Sequence, residues 1–113
     1  TLALASNCNP GAWCESVPFA LVLACRRHGL FPGEAIAAAT IGGAKALGLD
    51  KSRGSLEPGK LADLQFWNVQ RFEEVFYRYG TRIVDRVMKR GRMVVNNGRL
   101  CPGSGIAEGA ENA

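Results

Sequence analysis

Gly54-Ser55-Leu56-Glu57-Pro58-Gly59-Lys60-Leu61-Ala62-Asp63-Leu64 is the stretch on which the fold turns. Pro58-Gly59 is a turn pair, since Pro fixes one dihedral and Gly permits a left-handed one, and the residues from Leu49 to Lys60 are loop-like throughout. Directly after it, Asp63-Leu64-Gln65-Phe66-Trp67 has strand character. Farther on, Val87-Met88-Lys89-Arg90-Gly91-Arg92-Met93-Val94-Val95 sets two β-rich runs on either side of Arg90-Gly91. That spacing predicts a hairpin with strands over 83–89 and 92–95, and Asn96-Asn97-Gly98 supplies a further turn. A short helix is expected over 71–79.

Upstream of this stretch the pattern changes from strands to helices. Ser16 followed by Pro18 reads as a helix start, and the apolar run Phe19, Leu21, Val22, Leu23, Cys25 ends in Arg26-Arg27-His28 with Gly29 as the stop. Pro32-Gly33-Glu34 opens a second, Ala-rich helix through Ala39, and Thr40 is expected to cap a third that runs to Leu47 before Gly48. Gly42-Gly43 weakens that third helix unless another element approaches it closely. Residues 1–6 are apolar and do not alternate, which suits a strand buried on both faces of a parallel sheet. The sequence opens directly on that strand, so its neighbours are expected from sequence upstream or from another chain.

Composition narrows the function classes. The chain has 113 residues, 47% hydrophobic and 21% charged, in the range of ordinary globular proteins. Its formal net charge of +4 could favour an acidic partner, but the basic residues are interleaved with Asp and Glu, so no nucleic-acid partner is expected. The apolar run over 18–25 is far short of the roughly 20 residues that span a bilayer, and no membrane role follows. Cys8, Cys14, Cys25 and Cys101 have no CxxC spacing, and with no signal-peptide pattern they read as reduced thiols of a cytoplasmic protein.

The Gly54 to Leu64 segment, the strand after it and the Val87 to Val95 pattern together resemble the C-terminal pattern of the metal-dependent amidohydrolase superfamily. A narrower resemblance, to the imidazolonepropionases of histidine degradation, is carried by Ala5-Ser6-Asn7-Cys8-Asn9-Pro10-Gly11, by Pro18, Ala24-Cys25 and Ala37 to Leu47, and by Tyr77-Arg78-Tyr79-Gly80. The similarity runs from Thr1 to about Asn97. It implies an α/β fold of partial extent: the last strand and helices of a (β/α)8 barrel over 1–48, strands of a small composite β-sandwich domain over 49–100, and a disordered tail over 101–113.

The resemblance also assigns the site. In such barrels active-site groups sit on loops at the C-terminal ends of strands, and the Asn7 to Ala12 loop holds that place. By resemblance Asn9 and Gly11 contact the substrate, imidazolone propionate, or its product. Asn7 stands where the family has a metal-binding Asp, and a neutral carboxamide cannot act there as a base. The family's divalent metal, zinc or iron, is held mainly by histidines on early strands. This chain has one, His28, at a helix end where it suits the helix dipole. Cys8 and Cys14 fit no common zinc motif. The chain alone is therefore not expected to bind the metal or to catalyse.

Three functions compete on these grounds. The chain is part of a hydrolase acting on carbon–nitrogen bonds of cyclic amides, inactive alone and completed by a barrel segment, another chain or a homo-oligomer. Alternatively it is a non-catalytic interaction module that binds a polypeptide at its sheet edges. The third reading is a basic binding surface made by Arg78, Arg82, Arg86, Lys89, Arg90 and Arg92.

Overall fold

A computed structural model of the chain describes residues 1–105. They group into two compact units, residues 1–60 with 70–81, and residues 61–69 with 82–105.

The first unit is helical. Helix α1 spans Val17–His28, and its start is fixed as the sequence predicts: the Ser16 hydroxyl accepts the Phe19 N–H, with Pro at the first turn. At its end Gly29 takes φ 70°, and its N–H closes on the Cys25 carbonyl. Arg26, Arg27 and His28 occupy the last turn, where positive charge suits the exposed carbonyls. Ala20, Leu21, Val22 and Ala24 form the buried face. The helix packs on α2 (Pro32–Ala37) and on a 3-10 turn, Phe72–Phe76. That 3-10 turn is all that forms of the helix expected over 71–79. Glu74 secures it by accepting the Gln70 and Arg71 backbone N–H groups and pairing with Arg78 at 3.0 Å.

The expected break at Thr40 does not occur. Chain geometry continues from α2 through a π-helical turn, Ala38–Gly42, into α3, Gly43–Ala46. Thr40 is no cap: its hydroxyl donates to the Ile36 carbonyl, at 2.7 Å, four residues back. A π-turn loosens the local ladder, and here the Ala38 carbonyl accepts the Leu4 N–H at 3.0 Å. Residues 1–6 lie along this turn as extended chain. They are not the buried strand expected from their sequence, and most are exposed. A parallel strand needs hydrogen-bonding neighbours on its edges, and none of the described residues supplies one. The close approach expected at Gly42-Gly43 is real at Gly42, where an added Cβ would stand 2.0 Å from the Leu2 carbonyl oxygen.

The loop after α3 carries the deciding stretch. Gly54 has φ 93° and rests on the helical segment, so that an added Cβ would meet Ala44 Cβ at 2.6 Å. Ser55, Glu57 and Lys60 then form a polar clamp. Lys60 Nζ donates to the Ser55 hydroxyl at 2.6 Å and pairs with Glu57 at 3.2 Å, while Ser55 donates to Glu57. The hydrogen bond from Ser55, then that from Lys60 and its charge, hold the Glu57 carboxyl below its ordinary value of 4.5. A depressed folded-state value means that the clamp's contribution is present above about pH 4.5 and fades as pH falls through the lowered value. Glu57→Gln is therefore expected to flatten the pH dependence of unfolding below 4.5 without shifting the midpoint slope near neutrality, as followed by urea titration at stepped pH.

The second unit is a four-stranded antiparallel sheet in the order β1-β2-β3-β4, with β1 Leu64–Trp67, β2 Val84–Lys89, β3 Arg92–Asn96 and β4 Arg99–Leu100. Both tight turns take the left-handed pairs that two-residue hairpins favour. Arg90 and Gly91 have φ 50° and 77°, and Asn97 and Gly98 have 49° and 70°. Asp63 ties the loop end to the first hairpin turn, accepting Lys89 Nζ at 2.6 Å and the Arg90 N–H at 2.9 Å. Residues 101–105, expected in a disordered tail, instead turn back on the sheet, with the Cys101 N–H on the Val94 carbonyl. The rest of that tail lies outside the described residues.

Candidate functional site

The loop over 7–13 is built by one side chain. Asn9 and Ala12 face each other in an isolated antiparallel bridge, with N–H to carbonyl distances of 3.4 and 3.1 Å. Between them Pro10-Gly11 reverses the chain, as the Asn-Pro-Gly signal predicts. The Asn9 carboxamide oxygen accepts the Gly11 N–H at 2.9 Å and the Ala12 N–H at 3.0 Å, and its nitrogen donates to the Asn7 carbonyl at 2.7 Å. Gly11 sits so close that an added Cβ would lie 3.3 Å from that oxygen. Asn7 is held at φ 52°, a conformation that Asn and Asp tolerate better than other residues with a Cβ.

Asn7, Asn9 and Gly11 are thus brought together in one turn, while Cys8, Cys14 and His28 are not added to them as a ligand set. Cys8 is exposed, and Cys14 makes a long 3.9 Å contact to the Ser16 carbonyl. His28 closes α1 beside two arginines. Among the described residues no three His, Cys, Asp or Glu side chains gather in a way that could hold a metal ion. At position 7 itself the donor is a neutral carboxamide, a poorer metal ligand than a carboxylate, and Cys8 and Cys14 do not gather with it. The described residues do not fit a catalytic divalent metal.

Trp13 flanks this loop on its C-terminal side. Its ring is 75% exposed on the shoulder of this loop, and its Nε1 donates to Glu15 at 3.1 Å. The Ser55–Glu57–Lys60 clamp was missed, although polar residues two and three apart in a Pro-Gly loop are a readable signal for it.

The basic side chains are mostly spent on their own units. Lys89 pairs with Asp63 and Arg86 with Asp85 at 3.3 Å, Arg86 also lying 4.8 Å from the Phe66 ring centre. Arg82 donates to the Gly98 carbonyl, Arg92 to that of Gly103, and Arg78 pairs with Glu74. Cations engaged this way help hold turns and strand ends. No helix among the described residues is long and apolar enough to cross a membrane.

Comparison with known proteins gives one consistent answer. Residues 4–94 match the model of the Amidohydrolase family. The imidazolonepropionase of Geobacillus thermodenitrificans is 45% identical over 101 residues, covering 88% of this chain but 24% of that protein. The chain spans about a quarter of the length of such curated relatives. Among solved structures, an amidohydrolase from Thermotoga maritima is 31% identical with a TM-score of 0.57, over 71% of this chain and 19% of that one. An adenosine deaminase from Xanthomonas campestris, solved with bound zinc, is 25% identical with a TM-score of 0.62, over 84% of this chain and 25% of that one. An α/β amidohydrolase fold and an imidazolonepropionase-like sequence over nearly the whole chain leave one assignment: the chain belongs to the amidohydrolase family.

Proposed function

We propose that this chain works as the C-terminal part of an imidazolonepropionase-type hydrolase, opening a carbon–nitrogen bond of a cyclic amide only when the other barrel elements are supplied. In that whole, residues 1–48 complete the barrel and residues 49–100 contribute strands to a composite β-domain. The observation that carries the reading is the 45% identity across 88% of this chain to a protein of which it spans 24%. The family match over residues 4–94 takes in both the loop over 7–12 and the first hairpin turn.

Within this reading the loop over 7–12 faces imidazolone propionate. Gly11 lets backbone approach the planar ring closely, and Asn7 occupies the position of the family's acid. The metal of the family, zinc or iron, is held by groups that this chain does not contribute. Exposed apolar side chains fit a segment that expects company: Leu2, Phe31, Leu47 and Leu56 are each more than half exposed. Those same side chains, together with β1 and β4 as outer strands, favour the second reading, a module that binds another polypeptide without catalysing.

Purified chain alone is expected to give no turnover of imidazolone propionate. Mixed with the upstream segment of an imidazolonepropionase relative, it is expected to form a stoichiometric complex that opens the ring. Turnover by the chain alone would refute the dependence. A tight complex with no turnover, even after position 7 is restored to Asp, would leave the interaction module.

A further inference from the structure

We infer that Asn97 is a site of spontaneous deamidation by water, and that the hairpin turn around it sets the rate by keeping the attacking group, the Gly98 backbone nitrogen, engaged elsewhere. Asn97 is the one asparagine of the chain followed by glycine. Attack on a side-chain carboxamide comes from the backbone nitrogen of the next residue, and a Cβ on that residue crowds the approach. Asn7, Asn68, Asn96 and Asn112 are followed by Cys, Val, Asn and Ala, and the nitrogen after Asn9 belongs to Pro10, which has no proton to give up. Asn97 is also exposed, so water reaches it. The step needs no other reactant. The Gly98 nitrogen loses its proton and bonds to the Asn97 Cγ, the Cγ–Nδ2 bond breaks, and ammonia departs with the proton, leaving a cyclic imide. Water then opens the imide at either carbonyl. One opening gives aspartate; the other gives isoaspartate, in which the main chain runs through the side-chain carbon and is longer by a methylene.

In the closed turn the attacking nitrogen is occupied. The Gly98 N–H donates to the Asp85 carbonyl of β2 at 2.9 Å, and losing that proton would strip the carbonyl of its donor. Asn97 and Gly98 are fixed at φ 49° and 70° in a turn closed by the Asn96–Arg99 pair. Arg82 holds the same turn from outside, its Nη1 donating to the Gly98 carbonyl at 3.2 Å. The nitrogen is therefore released only when the turn opens. That opening is local, because β4 is two residues long and pairs with β3 only through Val95–Leu100 and Asn96–Arg99. Isoaspartate makes it lasting, since a two-residue turn matched to the twist of its strands does not accept a longer main chain. β4 then loses its register, the Cys101 N–H leaves the Val94 carbonyl, and β3 becomes an outer strand with unpaired backbone groups.

The full chain, incubated at neutral pH either folded or in urea, tests this by peptide mapping with mass spectrometry, and an isoaspartate-specific methyl-transfer assay reads the rearranged product. Replacement of the carboxamide NH2 by OH is expected first at Asn97, and at least about tenfold more slowly in the folded chain than in urea. Arg82→Ala removes one hydrogen bond from the turn and is expected to raise the folded rate by about threefold to tenfold while leaving the rate in urea unchanged. Hydrogen exchange at the Gly98 amide, measured on the same samples, keeps the test decisive even where Arg82→Ala loosens more than the turn. In both chains the modification rate is expected to follow the exchange rate of that amide. Equal rates in the folded chain and in urea, earlier modification of another asparagine, an Asn97 that stays intact in urea, or modification that proceeds while Gly98 remains protected would each overturn the inference.

Discussion

Asn7→Asp, in a chain complemented by upstream barrel elements, is expected to raise the hydrolytic rate at least about a hundredfold, the low end for a positioned general base. The loop already accommodates the change. At φ 52° Asn and Asp are the residues with a Cβ that tolerate the backbone best, and the two side chains have nearly the same shape. The Asn7 carbonyl, which Asn9 holds, is a backbone group that the substitution leaves in place. What changes is chemistry: a carboxamide is neutral and cannot take up a proton at neutral pH, whereas a carboxylate can. Steady-state turnover of imidazolone propionate by the two complemented chains measures the ratio. Equal rates would mean that position 7 is not the acid's position.

The sequence made some of these features legible and hid others, for reasons that are local in the first case and non-local in the second. Ser16, Pro18 and Gly29 define α1 because capping is settled within a few residues of the helix ends. Arg90-Gly91 and Asn97-Gly98 likewise announce their hairpins, since the turn itself demands two left-handed residues. Thr40 misled because a capping residue looks the same as one inside a helix. Only the π-turn and the Leu4 N–H it accepts reveal that the helix runs on. Residues 1–6 misled for a related reason: an apolar run reports burial, and burial on an edge depends on neighbours that no local pattern specifies. At the site, Asn9-Pro10-Gly11 was readable as a turn. That the Asn9 side chain takes part in closing it was not, because a side chain's hydrogen-bond partners depend on the closed geometry and not on the residue type.

Two glycines on the helical unit should respond in opposite ways to the same substitution, and Gly54→Ala should be the damaging one. Gly54 has φ 93°, outside the range that an L side chain readily adopts, and its added Cβ would meet Ala44 Cβ at 2.6 Å and the Ile41 Cα at 3.1 Å. Ala44 is buried in the helical core, so the clash cannot be relieved by swinging a flexible side chain aside. A left-handed backbone costs a residue with a Cβ about 1–2 kcal/mol, and overpacking adds about 1–3 kcal/mol. The sum, about 2–5 kcal/mol, is a large part of a typical domain stability of about 5–15 kcal/mol. Gly42→Ala presents the more severe overlap on paper, a Cβ only 2.0 Å from the Leu2 carbonyl oxygen. Yet Gly42 has ordinary helical φ, where Ala is favoured over Gly by about 1 kcal/mol, and the obstructing strand of chain is exposed. Residues 1–4 can lift away by giving up the single Leu4 to Ala38 hydrogen bond. Chemical denaturation should therefore show a large drop in midpoint for Gly54→Ala and a shift of less than about 1 kcal/mol for Gly42→Ala, with loss of amide protection at Leu4 in the second variant alone. Equal destabilisation by the two would mean that residues 1–4 are anchored far more firmly than one backbone hydrogen bond allows.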